Sequence, residues 1–256
     1  MQKKVRERDY ILSKQNDSDG PETIYIQNKN SIITFDNAVQ IKTSHSFRKP
    51  SQIYKVGDKI IKRYKDGEDD YVRFQKEVFD ILKKSNLPAF MKLRDVYTED
   101  VQLFVDDDFK EMITAYSYDY IETINKKMID LPMEYTLSSM CELKKLVEFL
   151  NNNNVLIGDS SAANCLVTED NLVVIDPDYF EINDKCEEEN LKEINHYISD
   201  LWCEEYGLNS MDDIRLISKQ FYDKNIDLYL YKMNMRLTEE TPREFITKTL
   251  QKNRRI

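Results

Sequence analysis

The chain has 256 residues, 41% of them apolar and 11% aromatic, which suits one large core or two smaller ones and excludes overall disorder. A formal charge of −10, with 33% charged residues, favours solubility and argues against non-specific binding of nucleic acid or anionic lipid. Cys141, Cys165, Cys186 and Cys203 are scattered, without a C-x-x-C pair and with only two histidines beside them, so the expectation is reduced thiols in a cytoplasmic protein and no zinc site.

The opening MQKKVRERDYILSKQ lacks the apolar core of a signal peptide, and no apolar run approaches bilayer length, so no membrane partner is expected. QNDSDGPE, from Gln15 to Glu22, reads as a loop on its turn chemistry. Thr23 to Phe35 and Gln52 to Tyr64 are β-rich, and Gly57-Asp58 in the second run is a hairpin turn that puts Lys62 on the hairpin's second strand. Phe74, Val78, Ile81 and Leu82 then recur at helical spacing, with acids in front, lysines behind and Pro88 beyond; Glu77 flanks this apolar stripe. Residues 91–121 read as further strands ending in AYSYDY.

A second helix carries Met140, Leu143, Val147 and Leu150 on one face and stops at Asn151 to Asn154. A third is defined by Leu191, Ile194, Ile198, Leu201 and Trp202 and ended by Gly207. The tail from Met211 is mostly helical, with TPREF opening its last segment at Thr241. Strand-rich before helical, the pattern predicts an α+β chain. Its expected parts are an N-terminal extension over 1–40, partly flexible with added strands, a first lobe over 41–122 and a helical lobe over 123–256. Two lobes imply a cleft.

Residues 155–182 read VLIGDSSAANCLVTEDNLVVIDPDYFEI. Asp159, Asn164, Asp176 and Asp178 crowd oxygen-bearing side chains together, and such a group resists burial unless it meets a cation, a reacting proton or water. Asp176 ends the apolar run NLVVI, so a hairpin brings it to the edge where Asp159 and Asn164 lie. An acid to orient a hydroxyl, with an amide oxygen and a carboxylate for Mg²⁺, is what phosphoryl transfer asks of a protein. Singly, each residue has a plainer reading. Asp159 and Asn164 are turn formers, Lys62 an exposed strand lysine, Glu77 a helix-surface acid, and Asp178 a strand-end turn residue as readily as a ligand. His196 reads as a surface histidine, and the D-x-x-x-x-N spacing recurs without function at Asp178 and Asn183.

The ordered set is more specific. IGDSSAAN and VIDPD, preceded by the strand lysine of IIK and a helix glutamate fifteen residues later, resemble the protein-kinase-like superfamily, and in particular its atypical bacterial members, over roughly residues 50–205. The resemblance implies a bilobal fold with a β-rich first lobe around one main helix and a mostly helical second lobe. It implies ATP and Mg²⁺ as cofactors, Asp159 as catalytic acid, and Asn164 and Asp176, with Asp178 as a third candidate, as metal ligands. Lys62, paired with Glu77, would hold the α- and β-phosphates, and Tyr118, Asp119 and Tyr120 would form the hinge against adenine.

Three departures accompany it. The five glycines, at 20, 57, 67, 158 and 207, leave no Gly-rich loop; Thr43 to Gln52 takes its place, with Ser44, His45, Ser46, Arg48 and Lys49 as candidates to face phosphate. Gly158 stands where the family has Arg. Only about a dozen residues separate Asp178 from the helix around Leu191, too few for a peptide-docking activation segment with its A-P-E anchor. The expected function is transfer of the γ-phosphoryl group to a hydroxyl acceptor, that of a protein Ser/Thr. The alternatives are a small-molecule kinase of the aminoglycoside/choline phosphotransferase type, and a nucleotide-binding pseudokinase or adenylyl-transferring scaffold.

Overall fold

β-branched and aromatic residues dominate the first part of the chain, and there a computed structural model of the protein shows strands. It describes residues 20–43, 51–64, 76–102, 109–159, 161–184, 187–208, 210–220 and 241–253. Ser46 and its neighbours in the Thr43–Gln52 connection, the loop before Gly20, Phe74 and Cys186 lie outside these residues. The chain divides into two compact units, one made of the residues up to Lys83 together with Lys92–Tyr120, the other of Lys84–Met91 and the residues from Ile121.

In the first unit β1 (Glu22–Asn28), β2 (Ser31–Thr43), β3 (Ser51–Val56), β4 (Lys59–Tyr64), β5 (Leu93–Gln102) and β6 (Phe109–Asp119) form one sheet in the order β1-β2-β3-β4-β6-β5. All its pairings are antiparallel. The run expected from Thr23 to Phe35 is two strands, broken at Lys29, whose φ of 48° lies in the left-handed region. The Gly57-Asp58 hairpin forms as expected, with Gly57 at φ 61° and Val56 opposite Lys59.

The sheet curls until its two edges meet. Lys29 N–H donates to Thr98 O, Thr98 N–H donates to Asn28 Oδ1 at 3.2 Å, and Thr114 Oγ1 donates to Gln27 O at 2.7 Å. Inside the curl Ile24, Ile26, Ala38, Tyr54, Ile61, Tyr97 and Ala115 form one core. The strands within residues 1–40 thus share the core of the strands that follow. The main helix α1 (Lys76–Leu82) buries Val78, Phe79 and Leu82, and the Phe79 ring lies 6.3 Å from that of Tyr116 on β6.

The second unit is helical around short strands: α2 (Met133–Asn152), β7 (Val155–Leu156), β8 (Cys165–Val167), β9 (Leu172–Val174), β10 (Glu181–Ile182), α3 (Glu187–Tyr206), a helical stretch over 211–220, and α4 (Pro242–Asn253). The α+β class, with strands around one main helix before a mostly helical part, is as the sequence leads one to expect. Leu143, Leu146, Val147 and Leu150 of α2 are buried, as are Ile194, Ile198, Leu201 and Trp202 of α3, whereas Met140 is half-buried. Leu191, expected on the apolar face of α3, is 45% exposed; the buried place beside it belongs to Asn190. That amide accepts from Ile157 N–H at 2.8 Å and donates to Asn151 Oδ1 at 2.7 Å and Val155 O at 2.8 Å, so one buried side chain satisfies three polar groups.

Gly207, at φ 84°, closes α3 by donating its N–H to Cys203 O at 3.1 Å. Thr241 and Glu244 form a reciprocal cap on α4: Glu244 N–H donates to Thr241 Oγ1 at 3.3 Å and Thr241 N–H to Glu244 Oε2 at 3.0 Å. Among the described residues Cys141, Cys165 and Cys203 form no disulfide, and no helix is long and apolar enough to cross a membrane.

Candidate functional site

β7 delivers the chain to Ile157, Gly158 and Asp159. At Gly158 a Cβ would stand 2.0 Å from the Tyr179 carbonyl oxygen, so no side chain fits there unless the backbone moves. Asp159 is held from several sides. Its Oδ1 accepts from Ser161 N–H at 3.1 Å, and its Oδ2 accepts from Asn164 Nδ2 at 3.0 Å. Its backbone carbonyl accepts from the Tyr197 hydroxyl at 2.7 Å and from Asn164 Nδ2 at 3.4 Å.

Asn164 is buried at the end of the 3-10 turn Ala162–Asn164 and enters β8 directly. Cys165 pairs with Val174 across the β8–β9 hairpin, and Ile175 N–H donates to Asn164 O at 2.8 Å. Asp176 is the next residue, so the hairpin brings Asp159, Asn164 and Asp176 to one edge. Asp176 has φ 61° and ψ 69°, a left-handed conformation that costs an L-residue free energy and persists where the surroundings impose it. Pro177 follows, and Asp178 is buried in the 3-10 turn Pro177–Tyr179.

Helix α3 backs this edge. Tyr197 is fully buried, and its hydroxyl is kept protonated well above its ordinary range, first by burial and then by neighbouring groups that include Asp159 and Asp176. One turn on, Asp200 Oδ2 accepts from Ala162 N–H at 2.9 Å. Burial also raises the Cys165 thiol, leaving it a poor nucleophile. The Asn164 amide turns its nitrogen toward Asp159, so Oδ1 is the atom that could serve a cation. With the Asp176 carboxylate this is an all-oxygen donor pair, which fits Mg²⁺, an ion that takes one or two carboxylates and completes its shell with phosphate and water. Among the described residues no group of three or more His, Cys, Asp and Glu side chains forms a metal cage.

The remaining candidates belong to the first unit. Lys62 is buried on β4, opposite Ile53 of β3 and Tyr116 of β6, with Nζ 5.9 Å from the centre of the Tyr64 ring. Glu77, in the first turn of α1, is exposed, so the two side chains sit in different surroundings. Tyr118 is buried on β6. Both Asp119 carboxylate oxygens are engaged by Arg94, at 2.5 and 2.6 Å, and that hydrogen bonding raises the guanidinium above its ordinary value. Tyr120 is 45% exposed beneath Lys55, whose Nζ lies 3.5 Å from the ring centre. His196 is at the surface.

Sequence reading missed Tyr197, Asp200, Asn190 and Tyr179. The first three carried a usable signal, as polar groups on or beside the apolar stripe of a helix. The role of Tyr179 rests on its backbone carbonyl and had none.

No protein-family model matches the chain, and no curated protein matches it. Among solved structures it is similar to a mutant of the PAN3 pseudokinase from Neurospora crassa, at 10% identity and a TM-score of 0.48, over 86% of this chain and 63% of that one. It is also similar to the kinase PK-1 of the Cydia pomonella granulovirus, at 21% identity and a TM-score of 0.37, over 57% of this chain and 52% of that one. The chain therefore spans less than two thirds of either. With both scores below one half, the assignment of roles rests on the chain's own residues.

Proposed function

We propose that the chain is a protein-kinase-like phosphotransferase that uses ATP and Mg²⁺ to phosphorylate a hydroxyl. The observation that carries this reading is the convergence of Asp159, Asn164 and Asp176 through the Asp159 Oδ2 to Asn164 bond and the Asn164 O to Ile175 bond. Asp159 orients the acceptor hydroxyl and takes its proton as that oxygen bonds to the γ-phosphorus and ADP departs. Asn164 Oδ1 and the Asp176 carboxylate hold Mg²⁺, which when bound neutralises phosphate charge. Lys62 is assigned to the α- and β-phosphates.

A small acceptor, such as a sugar, an amino alcohol or an antibiotic, is favoured over a protein Ser/Thr. Beyond Asp178 the chain turns straight back: Glu181 and Ile182 pair with Leu156 and Val155, and Asn183 N–H donates to Asn154 O at 2.7 Å. Phe180 is buried 6.2 Å from Phe90. This stretch is tied to the strand that leads into the Asp159 turn and offers little chain for docking a peptide.

Gly158, standing where the resembled kinases carry Arg, together with the lack of a Gly-rich loop in the sequence, favours a second reading, that of a nucleotide-binding pseudokinase. Incubation with γ-labelled and, separately, α-labelled ATP, alone and with a protein substrate or a panel of hydroxyl metabolites, tests these readings. Transfer of γ-label to a metabolite is expected, and Asp176→Ala should lower it by at least about a hundredfold. Nucleotide binding without transfer would support the pseudokinase, transfer of α-label an adenylyl transferase, and undiminished transfer by Asp176→Ala would refute the metal assignment.

A further inference from the structure

We propose that Tyr197 is a positioning residue that aims the Asp159 carboxylate by donating its hydroxyl hydrogen to the Asp159 backbone carbonyl. The inference rests on the phosphotransferase reading and adds to it a residue outside the turn. At 2.7 Å this is the shorter of the two bonds to that carbonyl, the other being Asn164 Nδ2 at 3.4 Å. The direction of the carbonyl and that of the side chain are linked through the Asp159 backbone, so fixing one restricts the other.

The donor is well suited to this work. Tyr197 is fully buried on a 20-residue helix, so its ring cannot swing away without opening the core. Burial and the adjacent carboxylates keep the phenol protonated, so it donates throughout the ordinary pH range. From the same helix Asp200 grips Ala162 N–H, three residues beyond Asp159. The turn is thus anchored to a rigid element at two points, as a catalytic group needs when an error of about 1 Å costs about a hundredfold in rate.

Tyr197→Phe removes the hydroxyl and keeps the ring. Tyr206→Phe is the control: its hydroxyl, on the same helix, meets Thr247 Oγ1 at 3.1 Å. In Tyr197→Phe alone, kcat for ATP turnover should fall about tenfold or more while KM for ATP stays within about twofold. Amide exchange at Ser161, whose N–H is held by Asp159 Oδ1, should quicken by about two- to tenfold. Unchanged exchange, or faster exchange with unchanged kcat, would overturn the proposal. If the variant does not fold, the wild-type Tyr197 hydroxyl proton decides. A slowly exchanging resonance with a cross-peak to residue 159 supports the bond, and its absence refutes it. A wild type without any turnover would instead sink the phosphotransferase reading, leaving the exchange rates to decide whether Tyr197 holds Asp159.

Discussion

Gly158 and Asp176 each carry a backbone demand that their residue type only partly reveals. The Tyr179 carbonyl fills the space a Cβ at 158 would need, and because it is main chain it cannot rotate aside as a side chain would. Gly158→Ala should therefore cost about 1 to 3 kcal/mol, read from the urea midpoint, and Gly158→Arg more. A glycine in a turn is visible in sequence; that it is imposed by a carbonyl twenty-one positions on is not. Asp176 shows the converse. Its left-handed backbone suits glycine better, yet a carboxylate stands there, as expected where side-chain chemistry outweighs a strain of about 1 kcal/mol.

Among the elements, β1 is placed by contacts distant in sequence. Its alternating pattern marks it as a strand, but its role depends on Asn28 and Thr98, 70 residues apart, and on Gln27 and Thr114, 87 apart, meeting where the sheet closes. Ile26 on β1 is 1% exposed in the shared core. Ile26→Ala should lower the stability of the first unit by about 2 to 4 kcal/mol in denaturant unfolding, whereas a peripheral strand would lose well under 1 kcal/mol. Helix α3 teaches a related lesson. Its apolar period was legible, but Asn190 took the buried place beside Leu191, because a buried amide with three partners satisfies groups that a leucine would leave orphaned.

At the scale of the whole molecule the functional reading becomes a linkage between ligand and stability. If ATP with Mg²⁺ binds only the folded chain, a concentration near one hundred times Kd stabilises it by about 2.7 kcal/mol. A thermal shift of that size should appear in the wild type, persist in Asp159→Asn, whose change touches the acceptor's proton, and shrink in Asp176→Ala, which loses a metal ligand. Equal shifts in all three, or none, would count against the division of labour between Asp159 and Asp176. The sequence by itself determined the α+β class, the Gly57 hairpin, most helix positions and the order in which Lys62, Asp159, Asn164 and Asp176 occur. These are set by neighbours two to four residues apart, within reach of a local pattern. Only the tertiary structure decided that Lys62 is buried while Glu77 is exposed, that Arg94 takes the Asp119 carboxylate, that Tyr179 forbids a side chain at 158, and that Tyr197 holds Asp159. Each of these depends on chain segments distant in sequence packing together, and that is fixed by the folded core as a whole.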